Sequence, residues 1–436
     1  MHKLSLTILT VAAGALVAAP ALAQDTVSAD ARYTSEIERI SAAGSVVEAF
    51  RIIEDLEGPS LDDLIRLTEI PAPPFMEEER AAAYAEMLRE AGADSVWIDA
   101  IGNVIALRSG LEGDRTVALD GHLDTVFPPE VDVTVEQRGD TLYAPGIGDD
   151  TRGLIVVRNV LQAMVQADIR TRDDILFIGT VGEEGLGDLR GVKHLFEAGE
   201  SPRIDAFVSV DGGDERRVKV QSVGSHRYRV TFNGPGGHSW GAFGLVNPHN
   251  ALGRAITRFT ETAGPYTEAA EERTTYSIGR IGGGTSVNSI PYESWMEVDM
   301  RSLDPASLNG LDDLFQEAVA HGLEGENQAR RHGDPLEVEI DQVGLRPAGT
   351  MELDTPLIQR AIAATEHLGI EPALGSGSTN ANVPMALGVP STTIGRGGRG
   401  GGAHSLDEWW LPVDPHLAVQ KALLTVLAEA GYAEGR

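Results

Sequence analysis

The sequence contains no cysteine. That excludes disulfides, thiolate catalysis and cysteine-ligated zinc, and leaves His, Asp and Glu as the side chains able to hold a metal. Positive charge is also scarce. Thirty-five Lys and Arg stand against 66 Asp and Glu, a net charge of −31. So acidic a surface repels phosphate backbones and anionic lipid, which argues against nucleic acid and membrane surfaces as partners, while cations are attracted. Internal repeats and low-complexity tracts are missing, and no long apolar run follows the one at the N-terminus.

That single run reads as a targeting segment. Lys3 supplies the positive end, Leu4 to Ala19 is almost wholly apolar, and Ala21-Leu22-Ala23 is a small-x-small cleavage site before Gln24. Residues 1–23 are therefore expected to be a signal peptide. The mature protein would be periplasmic or secreted, with no membrane attachment after cleavage. An uncleaved anchor is the alternative, since about 20 residues just span a bilayer. With 436 residues, 42% apolar and 23% charged, the chain as a whole has the composition of a soluble globular protein of two or three domains.

Residues 58–92 read as helical. Leu61, Leu64 and Ile65 share a face, Pro71 to Pro74 interrupts, and Glu77 to Glu90 runs to Gly92 as a stop. Strand-like runs then alternate with helical ones: Val104 to Leu107, Thr116 to Leu119, a helix over Leu154 to Val165, Ile175 to Ile178, and Ala206 to Val210. Alternation of this kind predicts an α/β layer with a mostly parallel sheet. Near Arg217 the texture changes. Tyr228-Val230-Phe232 alternates, Pro248 to Thr260 is helical, Tyr276 to Ile281 and Trp295 to Arg301 are strand-like, Leu308 to Ala320 is helical, and Leu336 to Val343 alternates again. The order β-α-β-β-α-β is the ferredoxin-like plan. It predicts a small domain over 217–345, inserted between residues 24–216 and 346–436 of a larger α/β domain.

The carboxylates and histidines fall in a pattern. Val117-Ala118-Leu119 leads into Asp120-Gly121-His122-Leu123-Asp124, Ile175 to Val181 into Gly182-Glu183-Glu184-Gly185, and Phe207 to Val210 into Asp211-Gly212-Gly213. In open parallel sheets ligands bind beyond the carboxyl ends of the strands, so these clusters should meet on one rim. Pro145 to Asp150, before a helix starting near Arg152, and the glycine-rich Gly395 to Gly402, which delivers Ala403-His404-Ser405, can join them. Carboxylate and imidazole donors suit zinc or, less selectively, manganese or cobalt. Each piece alone has an ordinary reading. His-x-Asp can be a surface pair, Glu183-Glu184 a solvated turn, Asp149-Asp150 a helix cap, and Asp211-Gly212 a turn. Their coincidence at three strand exits points to a metal site.

The set resembles the M20 family of co-catalytic metallopeptidases and amidohydrolases, which includes carboxypeptidases, dipeptidases and aminoacylases. The residues that carry the likeness are Gly121 to Val126, Gly148-Asp149-Asp150, Gly182 to Gly185, Val210-Asp211, Gly234 to Ser239, Asn288 to Pro291, Asp299-Met300-Arg301 and Ala403-His404-Ser405, in family order. The resemblance implies two divalent cations, zinc first and cobalt or manganese as alternatives. His122, Asp149 and Asp211 would hold one, and Glu184, His404 and a bridging Asp149 the other. Asp124 would accept the spare ring N–H of His122, and Glu183 would be the base that deprotonates a water bridged between the metals. A cis Asp149–Asp150 peptide bond is implied as well.

The inserted domain would be the family's lid and dimerisation domain. His238 would cross a homodimer interface to stabilise the oxyanion in the partner's site. Asn288 and Arg301 would bind the substrate carboxylate, and Gly377 lies in a substrate-contacting loop. Small peptides or N-acyl amino acids are the implied substrates, with deacylation as an alternative to peptidase action. One departure stands out. Many members carry a lysine two residues after the bridging aspartate, where Thr151-Arg152 follows Asp150 here.

Other readings compete. Gly237-His238-Ser239-Trp240-Gly241 spells the G-x-S-x-G of serine hydrolases, with Ser239 as nucleophile and His404 as base, but Asn233 to Gly236 separates it from its strand and Gly244 to Pro248 discourages the helix that should follow. A carrier with a decayed site would have lost a ligand, and none is missing. Arg396 to Gly402 is too poor in arginine to be a nucleic-acid segment.

Overall fold

The computed structural model describes residues 27–197 and 202–433; the expected signal peptide, residues 1–23, lies outside them. Among the described residues a nine-stranded sheet forms the main layer. Its path runs Ser95–Ile98, Val104–Arg108, Asp174–Thr180, Thr116–His122, Ala206–Val210, Ser391–Ile394, Arg217–Ser222 and Gly349–Thr350, with Ala373–Gly377 also paired to Arg217–Ser222. The four central strands are mutually parallel; the flanking strands pair antiparallel, except Ala373–Gly377, which runs parallel to Arg217–Ser222. The expected mostly parallel sheet is thus a mixed one. Short connections are the reason. Ser95–Ile98 and Val104–Arg108 are joined by a tight turn in which Asp99 Oδ1 accepts the N–H groups of Ile101, Gly102 and Asn103. So short a link allows a hairpin but no crossover, and apolar periodicity does not record strand direction.

Thr116–His122 is buried at every position. Val117 and Leu119 pack into a core shared with the helices Gly153–Gln166 and His416–Glu429, and Ala118 packs into a second core with Ile105, Leu176, Val192 and Phe207 on the other face. A central strand covered on both faces accordingly reads as a continuous apolar run rather than an alternating one.

The second sheet is antiparallel and four-stranded, in the order Thr274–Gly283, Glu293–Ser302, Gly224–Asn233, Glu337–Arg346. Glu293–Ser302 buries every other residue, and Met296, Val298 and Met300 face the helices Pro248–Ala269 and Pro305–Ala329. Phe259 and Phe315 meet edge to face at 5.2 Å between those helices. Each helix starts on a capped proline: Asn247 accepts the His249 N–H, and Asp304 accepts those of Ala306 and Ser307. The boundary expected near Arg217 moves, because Arg217–Ser222 pairs within the main sheet and the small sheet begins at Gly224. The two strands have the same alternating texture, so the sequence alone does not separate them. No helix among the described residues is long and apolar enough to cross a membrane.

Candidate metal centre

Three parallel neighbours of the large sheet deliver acidic and imidazole side chains to one edge. Asp174–Thr180 and Thr116–His122 end level, with His122 opposite Thr180, and Ala206–Val210 lies on the other side. His122 closes its strand, Glu183 and Glu184 follow the second, and Asp211 follows the third directly. Asp149 enters from the turn before helix Gly153–Gln166, and His404 from a loop where it holds a left-handed φ of 64°.

Asp149 sits between two imidazoles. Its Oδ1 is 3.3 Å from His122 Nε2, and its Oδ2 is 3.2 Å from His404 Nε2. His404 Nε2 is also 2.8 Å from Glu184 Oε1. His122, Asp149 and Glu184 each present a donor atom within 4.8 Å of the others. A cavity of ≈ 440 Å³ opens over them, with Glu183, Asp211 and Arg346 also in its wall. The donor set fits divalent cations. Two imidazole nitrogens face carboxylate oxygens, and one carboxylate is shared between them.

The electrostatics agree. Hydrogen bonds to Asp149 and Glu184 push the His404 imidazole up to about 10. Burial opposes charge on His122, yet its bond to Asp149 and the neighbouring Asp150 and Asp124 raise it well above the ordinary range. Imidazoles held protonated are the mark of surplus negative charge, and a metal ion competes for those same nitrogens.

A second layer of contacts fixes the donors. The ring Nδ1 of His122 lies 2.9 Å from the backbone carbonyl of Asp124, whereas the Asp124 carboxylate is 3.7 Å away. That carboxylate instead accepts the backbone N–H of Glu183 at 2.9 Å and of Glu184 at 2.7 Å. The expected contact of Asp124 with the His122 ring is made through its main-chain carbonyl, because its carboxylate is committed to the neighbouring turn. Asp150 accepts the His122 N–H at 3.1 Å, and the Asp149–Asp150 peptide bond is cis. Glu408 accepts three backbone N–H groups, from Gly146, Gly148 and Asp149, at 2.7, 3.0 and 2.8 Å. Any side chain at Gly148 would collide with Arg396 and Glu408.

Glu183 is buried, and burial pushes its carboxyl well above the usual range against the opposing charge of Arg346. Arg346 Nη1 is 3.1 Å from Glu183 Oε1 and 3.0 Å from Ser378 Oγ, and its Nη2 donates to the Glu183 carbonyl. Arg301 lines the cavity, with its Nε on Asp299 at 2.7 Å. Arg227 joins it there, bound to the other Asp299 oxygen at 2.9 Å.

Other expected site residues lie elsewhere. His238 and Asn288 are exposed and outside the cavity wall; His238 lies on a two-stranded ribbon facing Ser289, and Asn288 is in the turn just before that ribbon's second strand. Gly377 does not line the cavity either. It gives room to the buried Lys219, and its neighbour Ser378 takes the place at the wall. Ser239 sits on an exposed turn, with the next helix starting only at Pro248, and unlike His404 it does not line the cavity, so the serine-hydrolase arrangement is not formed. Ser378 belongs to the expected substrate-contacting loop, whereas Arg346, Arg227 and Glu408 were not anticipated. Each of these three comes from a segment that carries no ligand motif, and only the folded chain brings them to this edge.

The sequence profile of peptidase family M20/M25/M40 matches residues 118–429. The succinyl-diaminopimelate desuccinylase of Corynebacterium glutamicum is 24% identical over 380 residues, 86% of this chain and 98% of that protein. Carboxypeptidase G2 of a Pseudomonas species is 25% identical over 304 residues, 66% of this chain and 69% of its own. Among solved structures, aminopeptidase PepT of Bacillus cereus superposes with a TM-score of 0.66 at 20% identity, covering 85% of this chain and 98% of that one, a likeness of fold alone.

Proposed function

Since the chain belongs to peptidase family M20/M25/M40, we propose that it hydrolyses amide bonds in small peptides or N-acyl amino acids that bear a free carboxylate, with two divalent cations. The observation that carries this reading is the seat of Asp149 between His122 Nε2 and His404 Nε2. His122, Asp149 and Asp211 would hold one cation, and Asp149, Glu184 and His404 the other, with zinc first and cobalt or manganese as alternatives. When bound, such a pair acidifies water and polarises a carbonyl.

The chain's own residues do the rest. Glu183, held by Arg346, takes the proton from the attacking water and returns it to the leaving amine. Arg301 is engaged within the chain only through Nε, among the described residues, which leaves its terminal nitrogens to grip a substrate carboxylate. Arg227 adds positive charge beside it. The four-stranded sheet and its two helices act as a ferredoxin-like lid and dimerisation domain. His238 and Asn288, outside the cavity of their own chain, reach the partner's in a homodimer. Residues 1–23 direct export to the periplasm or beyond.

Deacylation on the same residues is the second reading, favoured by the desuccinylase relative that this chain matches over 98% of its length. One screen tests both. The protein is stripped by a chelator, reloaded with Zn²⁺, Co²⁺ or Mn²⁺, and assayed on dipeptides, tripeptides and N-acyl amino acids. Activity should vanish on stripping, return on reloading, and ignore serine-directed reagents. Turnover that survives chelation and falls to a serine reagent would overturn the proposal.

A further inference from the structure

A second cavity, of ≈ 250 Å³, lies away from the metal centre, between helix Glu57–Thr68 and the start of helix His416–Glu429. Ile53, Leu61, Leu64, Trp410 and Val419 make its wall largely apolar. Glu57, Ser60 and His416 also line it, and two further buried polar side chains in the wall, Arg152 and Asn159, have atoms without a partner. Arg152 is 3% exposed. Its Nη2 donates to the Pro415 carbonyl at 2.9 Å and its guanidinium carbon lies 5.1 Å from the Trp410 ring centroid, but its Nε has no partner. Asn159 is 2% exposed. Its Nδ2 donates to Ser60 Oγ at 2.8 Å, and its Oδ1 has no partner.

No carboxylate pairs with Arg152 among the described residues. The acidic side chain that influences it most, Glu57, is taken by His416, whose Nδ1 lies at 2.8 Å and whose backbone N–H donates at 3.1 Å. A buried guanidinium with no carboxylate in direct contact is costly, and folded proteins keep such groups where something completes them. Here the room beside it is mostly apolar, with the His416-bound Glu57 also in its wall, and is larger than the engineered cavity of about 150 Å³ that admits benzene. Arg152 comes three residues after Asp149 in the sequence. It belongs to the same turn as Asp149, yet it faces this cavity and not the metal centre.

We propose that this cavity binds a small monocarboxylate with an apolar body, its carboxylate on Arg152 and its hydrocarbon against Leu61, Leu64 and Val419. A ring or a short branched chain fits the volume. A guanidinium in a low-dielectric wall selects a carboxylate over a neutral isostere, and the apolar surround selects against acetate. The site stands apart from the hydrolytic reading and does not depend on it.

Benzoate is the probe, titrated calorimetrically into the metal-loaded full chain, with benzyl alcohol and acetate as comparisons. Two variants locate the binding. Arg152→Gln removes the charge, and Leu61→Trp fills the cavity without touching the guanidinium. Benzoate should bind at least tenfold more tightly than either comparison, lose at least tenfold in Arg152→Gln, and not bind in Leu61→Trp. Benzoate resting on the metals alone would bind Leu61→Trp as well as the parent, which overturns the proposal. A crystal of the unaltered protein soaked in benzoate provides a readout that needs no variant. Density for the ring between Leu61 and Arg152 supports the site, and ordered water alone in the cavity refutes it.

Discussion

Arg346 Nη1 lies 3.1 Å from Oε1 of Glu183, and both side chains are buried. The guanidinium comes from the end of the smaller sheet, at the strand Glu337–Arg346, while the carboxylate belongs to the larger one. The contact therefore ties the proposed base, Glu183, to the position of the smaller sheet. Breaking a buried pair by removing one member leaves an uncompensated group. Glu183→Gln should retain both metals and lose turnover by roughly 10²–10⁴-fold, the range for a missing general base. Arg346→Met should lower kcat by about 10²-fold with metal content unchanged, and Arg346→Lys should recover part of it. Elemental analysis beside steady-state kinetics checks both. Loss of metal in Glu183→Gln would show that Glu183 and Glu184 have exchanged roles.

The Asp124 carboxylate holds the backbone N–H groups of Glu183 and Glu184, and the Glu408 carboxylate holds those of Gly146, Gly148 and Asp149. Both clamp ligand-bearing turns rather than ligands. Asp124→Ala and Glu408→Ala would each strand buried donors, at about 1–3 kcal/mol per group. Metal affinity should fall about 10–100-fold, as for other lost supports of ligands. Thermal melting in chelator reads the first effect, and metal titration the second. A variant that melts lower yet binds metal as before would leave the clamp a purely structural one.

These supports mark where the sequence stops being informative. His122, Glu183, Glu184 and Asp211 were legible because each follows or closes an apolar run, and parallel neighbours carry such runs to one edge; Asp149 could be added from the Gly-Asp-Asp turn before its helix. His404 could be added through the likeness of its Ala-His-Ser segment. Glu408 was not legible. Its partners are main-chain N–H groups far away in the chain, and such bonds leave no side-chain pattern at either end. Arg346 escaped for a similar reason: it ends an alternating strand, and only the pairing of two sheets sets it against Glu183. The mixed direction of the main sheet was hidden in the hairpin at Asp99, since periodicity reports burial and not direction.

Lys421 offers a test of stability that does not involve the metal centre. It is fully buried on helix His416–Glu429, and its Nζ donates to the carbonyls of Glu215 at 2.9 Å and Arg217 at 2.8 Å. Burial brings its ammonium down to about 7 from an ordinary value of 10.5. Between those two values the unfolded chain keeps a proton that the folded chain has released. Stability from this group therefore rises with pH across that window, by up to about 1.4 kcal/mol per pH unit, and is flat below it. Urea unfolding of the parent and of Lys421→Met, compared from about pH 6 to about pH 9, should diverge with rising pH in favour of the parent. Parallel curves would mean that the two carbonyls hold the ammonium charged throughout.

His238 poses a question of geometry that a single chain cannot answer. Its side chain is exposed, its Nδ1 accepts the N–H of Trp240 at 3.2 Å and of Gly241 at 3.4 Å, and it is absent from the wall around Asp149. If it serves the cavity of a second copy, His238→Ala should depress kcat by about 10²–10³-fold, the usual effect of removing one oxyanion donor, with metal content intact. The trans arrangement adds a sharper expectation. His238→Ala and Glu183→Ala should each be nearly inactive as homodimers. A mixed dimer restores one complete site, with Glu183 from the first variant and His238 from the second. Mixing the two under conditions that allow subunit exchange should therefore raise activity well above that of either alone, towards half the parent's rate per mixed dimer. Two copies acting independently would give only the sum of the two separate preparations, and His238 would then not act across the interface.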